Sequence, residues 1–252
     1  MVGLFLLPAA CWPHQPLITD DTGTQGVGGN QFETALNRTR DRTSGSETVE
    51  HEVPLVYTRG LTQALDLYIG NGRQKISQNA PGTVERGWGN TIIGAKWRFY
   101  DDASRKLSFA IKPEVQFPVS RKGEARGLGT ARTSYALGLL MTQATAFGVV
   151  HANLAAERAS YVDGALNAVE RRMRYRVSVA PVWSVIQEWA LVMDAGLMTN
   201  PDRSARARMG YIEAGAIYSP DKNLDLALGV IRHLMDGDAH TLQGTVGLTW
   251  RF

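Results

Sequence analysis

Apolar and polar side chains alternate along residues 107–120, LSFAIKPEVQFPVS. One face of this stretch carries leucine, isoleucine, valine and phenylalanine, whereas the other carries Lys112, Glu114 and uncharged polar residues. A period of two residues predicts a β-strand, because successive side chains of a strand point to opposite faces. The run is unusually long and its polar face holds both charge signs, so the question is which face contacts water.

The same alternation recurs in segments of about 10–14 residues that are separated by turn residues. Twelve segments can be counted, at roughly 30–40, 48–59, 63–73, 88–100, 105–119, 131–142, 146–159, 170–185, 187–199, 207–219, 222–234 and 240–252. An even number of strands suits a barrel with both termini on one side. The pattern predicts an all-β fold, an up-and-down antiparallel β-barrel of 12 strands over residues 30–252.

The connections between these segments alternate in length. Those after the second, fourth, eighth and tenth segments are short, at 60–62, 101–104, 186 and 220–221. Those after the first, third, fifth and seventh are longer and polar: TRDRTSGS, RQKISQNAPGTVERG, RKGEARGLGTA and VDGALNA. Outer-membrane barrels show this asymmetry, with short periplasmic turns and longer extracellular loops. A tilted strand of about 11 residues spans about 27 Å, which matches their apolar band of about 25 Å.

Charged residues near the middle of the strands indicate which face contacts lipid. In residues 222–234, Leu224, Leu226 and Leu228 lie opposite Asp225. Lipid cannot solvate a charge, so the charged face is assigned to the lumen of a transmembrane barrel. The residues assigned to this lumen, as candidates for a permeation path, are Asp66, Arg98, Lys112, Glu114, Glu157, Arg172, Arg174, Arg176, Asp194, Glu213, Asp225 and Arg251.

Three of these residues, Arg172, Arg174 and Arg176, form an inward ladder on one predicted strand. Guanidinium groups bind carboxylates, so the ladder could guide small organic anions through the lumen. The alternative is that Glu157 and Asp194, on the neighbouring strands, neutralise the arginines. In that case the charges form an ion-pair network that fills a closed lumen.

Aromatic residues of outward parity cluster at the tight-turn ends of the segments. They are Tyr57, Trp97, Phe99, Trp183, Trp189, Tyr218 and Phe252. Aromatic rings at the boundary between membrane and water form the girdle of an outer-membrane barrel. The terminal Phe252 ends an alternating strand and resembles the signal that the outer-membrane assembly machinery reads. The predicted partners are therefore a lipid bilayer, this assembly machinery and a small-molecule solute, while the oligomeric state stays open.

Composition excludes several other classes of protein. The net charge of +3 comes from scattered basic residues, which argues against a nucleic-acid partner. The single cysteine, Cys11, excludes an intrachain disulfide and a cysteine metal site. Neither a metal site nor a cofactor is expected. Residues 1–13 look like the remnant of a secretory signal peptide, which predicts a protein of the Gram-negative outer membrane.

Three functions are compatible with this barrel. The first is a passive outer-membrane channel or transporter for small solutes, and the second is a structural or interaction barrel with an ion-paired, closed lumen. The third and weakest is a membrane-embedded hydrolase, because twelve-stranded outer-membrane phospholipases exist and need a histidine beside a serine. His151 shares its inward face with Asn153 and with no serine, so no catalytic residue is assigned and an enzyme is not expected.

Residues 14–33, HQPLITDDTGTQGVGGNQFE, carry a more specific motif. With VYTRGLTQALDLYIG, GWGNTIIGAKWRF and YIEAGAIYSPDKNLDLALGVI, the motif resembles an outer-membrane transporter family that is named for the MetA pathway of phenol degradation. The resemblance touches most of the chain. It implies a barrel and the passage of hydrophobic or aromatic compounds, and it supplies no site residues.

Residues 14–29 form a predicted periplasmic N-terminal segment before the barrel. Thr19, Asp20, Asp21 and Thr22 are too polar and too close to glycines for a membrane strand. They could fold into the periplasmic mouth as a plug, where Asp20 and Asp21 would meet lumenal arginines. The alternative is a loose periplasmic extension.

Overall fold

The computed structural model describes residues 15–43, 46–79, 82–234 and 240–252. The predicted signal remnant at 1–13 lies outside these residues. The strands are β1 (Asn30–Thr43), β2 (Ser46–Gly60), β3 (Leu65–Gln78), β4 (Thr83–Trp88), β5 (Thr91–Asp102), β6 (Leu107–Phe117), β7 (Ser134–Ala144), β8 (Gly148–Arg158), β9 (Met173–Ile186), β10 (Trp189–Thr199), β11 (Arg208–Asp221), β12 (Leu224–Leu234) and β13 (His240–Arg251), and the helices are α1 (Arg121–Ala125) and α2 (Gly164–Val169).

The strands form one closed antiparallel barrel. Each strand pairs with its neighbours in sequence, β4 excepted, and β1 also pairs with β13, from Gln31 opposite Arg251 to Arg42 opposite His240. The short strand β4 pairs only with the extracellular half of β3, and it is not a member of the closed circle. The circle therefore contains 12 strands, as predicted. Closure leaves no unpaired sheet edge within the circle, and this is the condition for a sheet to cross a membrane.

The predicted segment at 88–100 is interrupted, because β3 pairs first with β5 and then with β4. The break lies between Trp88 and Thr91, where Asn90 leaves the sheet. The Asn90 side chain donates to the carbonyl groups of Phe117 and Thr130 and accepts from the Thr130 N–H group at 2.8 Å. These contacts to a distant loop replace strand pairing at this point, which the local alternation does not reveal.

Short turns and longer loops lie at opposite ends of the barrel, as predicted. The periplasmic turns are short, for example residues 187–188 between β9 and β10, whereas the extracellular connections at 118–133 and 159–172 contain α1 and α2. Two predicted loops are instead mostly strand. TRDRTSGS extends the β1–β2 hairpin and RQKISQNAPGTVERG forms most of the β3–β4 hairpin, because main-chain pairing continues beyond the apolar band.

The outward face of the barrel is apolar and the inward face is polar. On β12, the Leu228 side chain in mid-strand is 55% exposed, whereas Asp225 is 3% exposed and points inward. The opening stretch follows the same rule, since Phe109 lies opposite Met141 on the outside and Lys112 faces the lumen. In the described part of the chain, no helix is long and apolar enough to span a membrane.

Aromatic rings lie at both ends of the outward face. The predicted girdle residues Tyr57, Trp97, Phe99, Trp189 and Phe252 are exposed, whereas Trp183 and Tyr218 are half-buried because the rings of Phe147 and Trp189 pack on them. A second set of exposed aromatics, missed in the sequence, lies at the extracellular end: Trp88, Phe117, Tyr135 and Tyr175. Two such belts mark the two boundaries of the apolar band.

A charge on the outward face should destabilise the barrel according to its depth. We expect Leu228→Arg to lower the free energy of unfolding in lipid vesicles by about 2–4 kcal/mol, and Leu234→Arg, at the extracellular end of the same face, by about 0–1 kcal/mol. Denaturant titration of the protein in vesicles measures both values. Equal costs at the two positions would contradict the assignment of Leu228 to the hydrocarbon core.

Candidate functional site

Residues 15–29, named here the N-terminal segment, lie inside the barrel. The segment follows the inner wall from β13 to β3 and contacts most strands on the way. It begins at the glycines of β11, β12 and β13 and ends beside the turn after β2. The lumen is therefore divided by a stretch of its own chain, and the contacts of that stretch define the candidate site.

Inward glycines make room for the start of the segment. Pro16 lies against Gly229, where an added Cβ would come within 2.7 Å of the Pro16 Cβ. Gln15 lies against Gly247, where an added Cβ would come within 1.9 Å of Gln15 Oε1. Glycine within a strand often marks such a close approach of another backbone. The two glycines, on neighbouring strands, thus form a flat seat for the segment.

Thr19 joins the segment to the buried carboxylate of Asp194. The Thr19 N–H group donates to Asp194 Oδ2 at 2.7 Å, and the Thr19 hydroxyl donates to Oδ1 at 2.8 Å. Tyr211 donates a third hydrogen bond to Asp194 at 2.8 Å, and Ser178 Oγ lies 2.7 Å from Thr19 Oγ1. A buried carboxylate needs donors of this kind, so Asp194 positions the segment rather than facing a solute.

Asp20 lies between two lysines of the barrel wall. Its carboxylate accepts from Lys96 Nζ at 3.0 Å and from Lys112 Nζ at 2.7 Å, while Asp21 lies 3.4 Å from Lys96 Nζ. The predicted partners were arginines, and this part of the prediction was wrong. The segment crosses β5 and β6 where these lysines point inward. Arg174 is instead the second residue of β9 and lies at the extracellular end of the lumen.

Further contacts hold the second half of the segment. The Thr22 N–H group donates to Thr142 Oγ1 at 3.1 Å, and the Thr22 hydroxyl lies 2.6 Å from Ser108 Oγ. The Gln25 N–H group donates to both carboxylate oxygens of Asp66, at 3.1 and 3.0 Å. Backbone donors thus satisfy inward carboxylates that the lipid could not accommodate.

The segment reverses direction at the periplasmic mouth before β1 begins. Gly26 and Gly28 have positive φ angles of 74° and 79°, which glycine adopts without steric cost. The Gly28 N–H group donates to the Gly60 carbonyl at 3.0 Å, and an added Cβ at Gly60 would lie 1.8 Å from the Gly26 carbonyl oxygen. The reversal therefore requires glycine both in the N-terminal segment, at Gly26 and Gly28, and at the end of β2, at Gly60.

A cavity of about 680 Å³ occupies the lumen beside the segment. Six of the predicted lumenal residues line it: Asp66, Lys112, Glu114, Glu157, Arg174 and Arg176. Its wall is also apolar in part, with contributions from Leu17, Ile18, Leu140, Met198 and Met209. The arrangement combines charged groups with apolar surface, as ligand pockets commonly do.

The other predicted residues lie elsewhere. Asp194 and Glu213 are buried beside the segment, whereas the Asp225–Arg251 ion pair and Arg98 lie at the periplasmic end. Arg172 was assigned to the inward ladder, and this assignment was wrong. Strand pairing starts only at Met173, so the Arg172 side chain remains in the preceding loop.

Two arginines of the predicted ladder remain in the lumen, and their environments differ. Arg174 forms an ion pair with Glu170 at 3.0 Å and donates to the Tyr161 hydroxyl. Its partner is thus a loop residue, rather than the predicted Glu157 or Asp194. Arg176 makes no side-chain hydrogen bond or ion pair with any described residue. Of the two arginines, Arg176 is therefore the one whose guanidinium group has no direct partner among the described residues.

No metal centre is found in the part of the chain that the structure describes, since no three metal-ligating side chains cluster there. His151, the one inward histidine considered for catalysis, faces the Thr142 hydroxyl, with its Nδ1 atom at 3.0 Å. Thr142 in turn accepts from the Thr22 N–H group. Through Thr142, His151 therefore helps to hold the N-terminal segment in position.

Comparisons with known proteins agree with this architecture. The sequence model of a family described as "Putative MetA-pathway of phenol degradation" matches residues 17–252. The comparison with curated proteins gave no match. Among solved structures, the COG4313 outer membrane channel from Pseudomonas putida F1 is similar, with a TM-score of 0.76 and 14% identity over 92% of this chain and 98% of that chain.

Two porins are also similar in fold. The NanC porin has a TM-score of 0.56 and 9% identity, over 86% of this chain and 98% of its own. The KdgM porin, solved in complex with disordered oligogalacturonate, has a TM-score of 0.51 and 10% identity, over 86% of this chain and 99% of its own. At such low identity the likeness concerns the fold.

The contact between Thr19 and Ser178 can be tested with cysteines. In a Cys11→Ser background, we expect Thr19→Cys with Ser178→Cys to form a disulfide under mild oxidation, because the two native hydroxyl oxygens are 2.7 Å apart. Altered mobility on a denaturing gel detects the cross-link. Thr19→Cys with Ser134→Cys is the control and should not cross-link. Equal cross-linking of both pairs would contradict a fixed position for the segment.

Proposed function

The chain belongs to the family described as "Putative MetA-pathway of phenol degradation", and from this membership we propose that it is a passive channel for small organic solutes. The protein is a β-barrel of the bacterial outer membrane. A barrel of this kind has no energy source of its own, so solutes would move down their concentration gradients.

One observation carries the proposal, namely the cavity inside a closed barrel, whose wall combines charged groups with apolar surface. About 680 Å³ of space adjoins the N-terminal segment and reaches the extracellular residues Met198 and Pro201. A solute from outside would enter this space and meet the segment before it reached the periplasm. The segment would therefore act as a plug that restricts passage, with Thr19, Asp20, Asp21 and Thr22 as its anchoring residues.

The chemistry of the cavity favours solutes with an apolar body and one carboxylate. Leu140, Met198 and Met209 offer apolar contact, and Arg176 offers a guanidinium group without an ion-pair partner among the described residues. Guanidinium binds carboxylate through two parallel hydrogen bonds. Aromatic acids have this combination, and the family description refers to the degradation of a phenol, an aromatic compound. We therefore propose small organic anions, including aromatic acids, as the solutes.

The second candidate is a structural or interaction barrel with a closed lumen. The ion pairs of Lys96 and Lys112 with Asp20, and the hydrogen bonds of Thr19 and Gln25, favour this function because they fix the segment across the lumen. A membrane-embedded hydrolase has less support, because His151 faces a threonine hydroxyl that holds the segment.

Planar-bilayer recording separates the channel from the closed barrel. We expect discrete conductance steps from the wild-type protein. Asp20→Asn should increase open time or conductance, on the order of tenfold, because a charged hydrogen bond is worth about 1.5–3 kcal/mol. Asp202→Asn, the same change in an extracellular loop, is the control and should behave as wild type. Insulating bilayers with both the wild-type protein and Asp20→Asn would instead favour the closed barrel.

Ion selectivity tests the role of Arg176. Removing a charge about 4 Å from a passing anion changes its energy by about 1 kcal/mol in water, so Arg176→Gln should lower the anion-to-cation permeability ratio about fivefold. Reversal potentials in a salt gradient measure this ratio. Arg174→Gln is the matched comparison and should have a smaller effect, since Glu170 already pairs with Arg174. Unchanged selectivity in Arg176→Gln would remove the organic-anion proposal.

A further inference from the structure

A second pocket of about 300 Å³ lies on the extracellular side, where the loop before β7 meets the loop after β8. Seven residues line it: Arg132, Thr133, Arg158, Ser160, Tyr161, Asn167 and Arg172. The lining includes three arginines and no acidic residue. None of these arginines forms an ion pair within the described ranges of the chain. Three guanidinium groups around one small space repel each other unless an anion lies between them.

The two walls of this pocket are fixed to each other by a buried carboxylate. Glu124 is 3% exposed and belongs to α1. Its oxygens accept from the N–H groups of Ala131 at 2.6 Å, Val162 at 3.0 Å and Asp163 at 2.7 Å. Ala131 precedes the first arginine of the pocket, and Val162 follows its tyrosine. Glu124 therefore holds both walls at a set separation, as a preorganised binding site requires.

Other contacts orient the groups that line the pocket. Arg172 Nε donates to Asn167 Oδ1 at 3.0 Å, and the Asn167 amide in turn donates to the Tyr161 carbonyl at 3.1 Å. Burial raises the pKa of Tyr161, so its hydroxyl stays neutral and keeps its proton at physiological pH. The lining of the pocket thus combines cationic donors with hydroxyl groups, and the carboxylates that act on Tyr161, those of Glu170 and Glu157, lie outside it.

The position of the pocket relates it to the membrane surface. Arg158, in the last position of β8, lies opposite Tyr135 on one side and Met173 on the other. Both neighbours are exposed on the outward face, and Tyr135 belongs to the extracellular aromatic belt. Arg158 therefore lies on the lipid side at the level where headgroups begin. Lipid A, the glycolipid of the outer leaflet, carries its phosphate groups at this level.

We propose that this pocket binds a phosphate monoester, held by Arg132, Arg158 and Arg172. Arginine forms paired, charge-assisted hydrogen bonds with phosphate oxygens, and the hydroxyls of Thr133 and Ser160 add neutral donors. The occupant is either the phosphate of lipid A or a soluble phosphate, and the chemistry of recognition is the same. The proposal does not depend on which solute crosses the lumen: the two cavities share no lining residue, and they meet where Arg174 of the lumenal cavity donates to the Tyr161 hydroxyl.

Native mass spectrometry of the detergent-solubilised protein tests the proposal with lipid A and its dephosphorylated form. The wild-type protein should retain phosphorylated lipid A in preference to the dephosphorylated form. Arg132→Gln, Arg158→Gln and Arg172→Gln combined should weaken this binding by at least about tenfold, since the variant removes all three charge-assisted hydrogen-bond donors of the pocket. The control combines Arg105→Gln, Lys222→Gln and Arg232→Gln, which removes the same charge from exposed positions outside the pocket and outside α1 and should bind as wild type.

Two further measurements complete the test. Glu124→Gln removes a negative charge. If the arginines only attract anions through their charge, this variant should bind phosphorylated lipid A more strongly. If the pocket depends on walls that Glu124 holds in place, as we propose, the variant should bind it more weakly. Inorganic phosphate at millimolar concentration should displace the lipid if the site also accepts soluble phosphates, and should fail to displace it if the site is specific for lipid. Equal retention of both lipid forms, or unchanged binding in the triple arginine variant, would overturn the proposal.

Discussion

Hydrocarbon cannot solvate an ionised side chain, and this constraint organises the whole molecule. In a closed barrel of alternating strands, side chains excluded from the lipid can only occupy the lumen. Asp66, Lys96, Lys112 and Asp194 are therefore gathered inside, where each needs a partner of its own. Much of what they need comes from the N-terminal segment, through backbone N–H groups for the carboxylates and through the Asp20 carboxylate for the lysines.

The strands could be predicted because the signal for them is local. A period of two is visible in any ten residues, and a mid-strand charge such as Asp225 identifies the inward face. The errors arose where contacts between distant residues decide the outcome. Asn90 interrupts a strand because of its bonds to the loop around Thr130, and Arg172 leaves the barrel wall because pairing begins one residue later. Neither event changes the local pattern of apolar and polar residues.

The candidate site was only partly visible in the sequence. The polar, glycine-flanked character of residues 19–22 pointed to the mouth of the barrel. The partners of these residues depend on how far the segment reaches around the wall, and no short-range pattern encodes that distance. Ser178 and Thr142 look like any other inward polar residues. A usable signal was present in Gly229 and Gly247, two inward glycines on neighbouring strands where bulkier residues would block the segment.

The reversal at Gly26 and Gly28 also separates two kinds of stability in one chain. The circle of strands is complete without residues 15–29, since β1 begins only at Asn30 and pairs with β2 and β13 from there onwards. Withdrawal of residues 15–25 toward the periplasm would cost the ion pairs of Asp20 and the hydrogen bonds of Thr19, but no main-chain bond between the strands. Main-chain pairing thus stabilises the barrel wall, whereas side-chain contacts hold the N-terminal segment in the lumen. Substitutions in those contacts can therefore change how firmly the segment is held without disturbing the barrel.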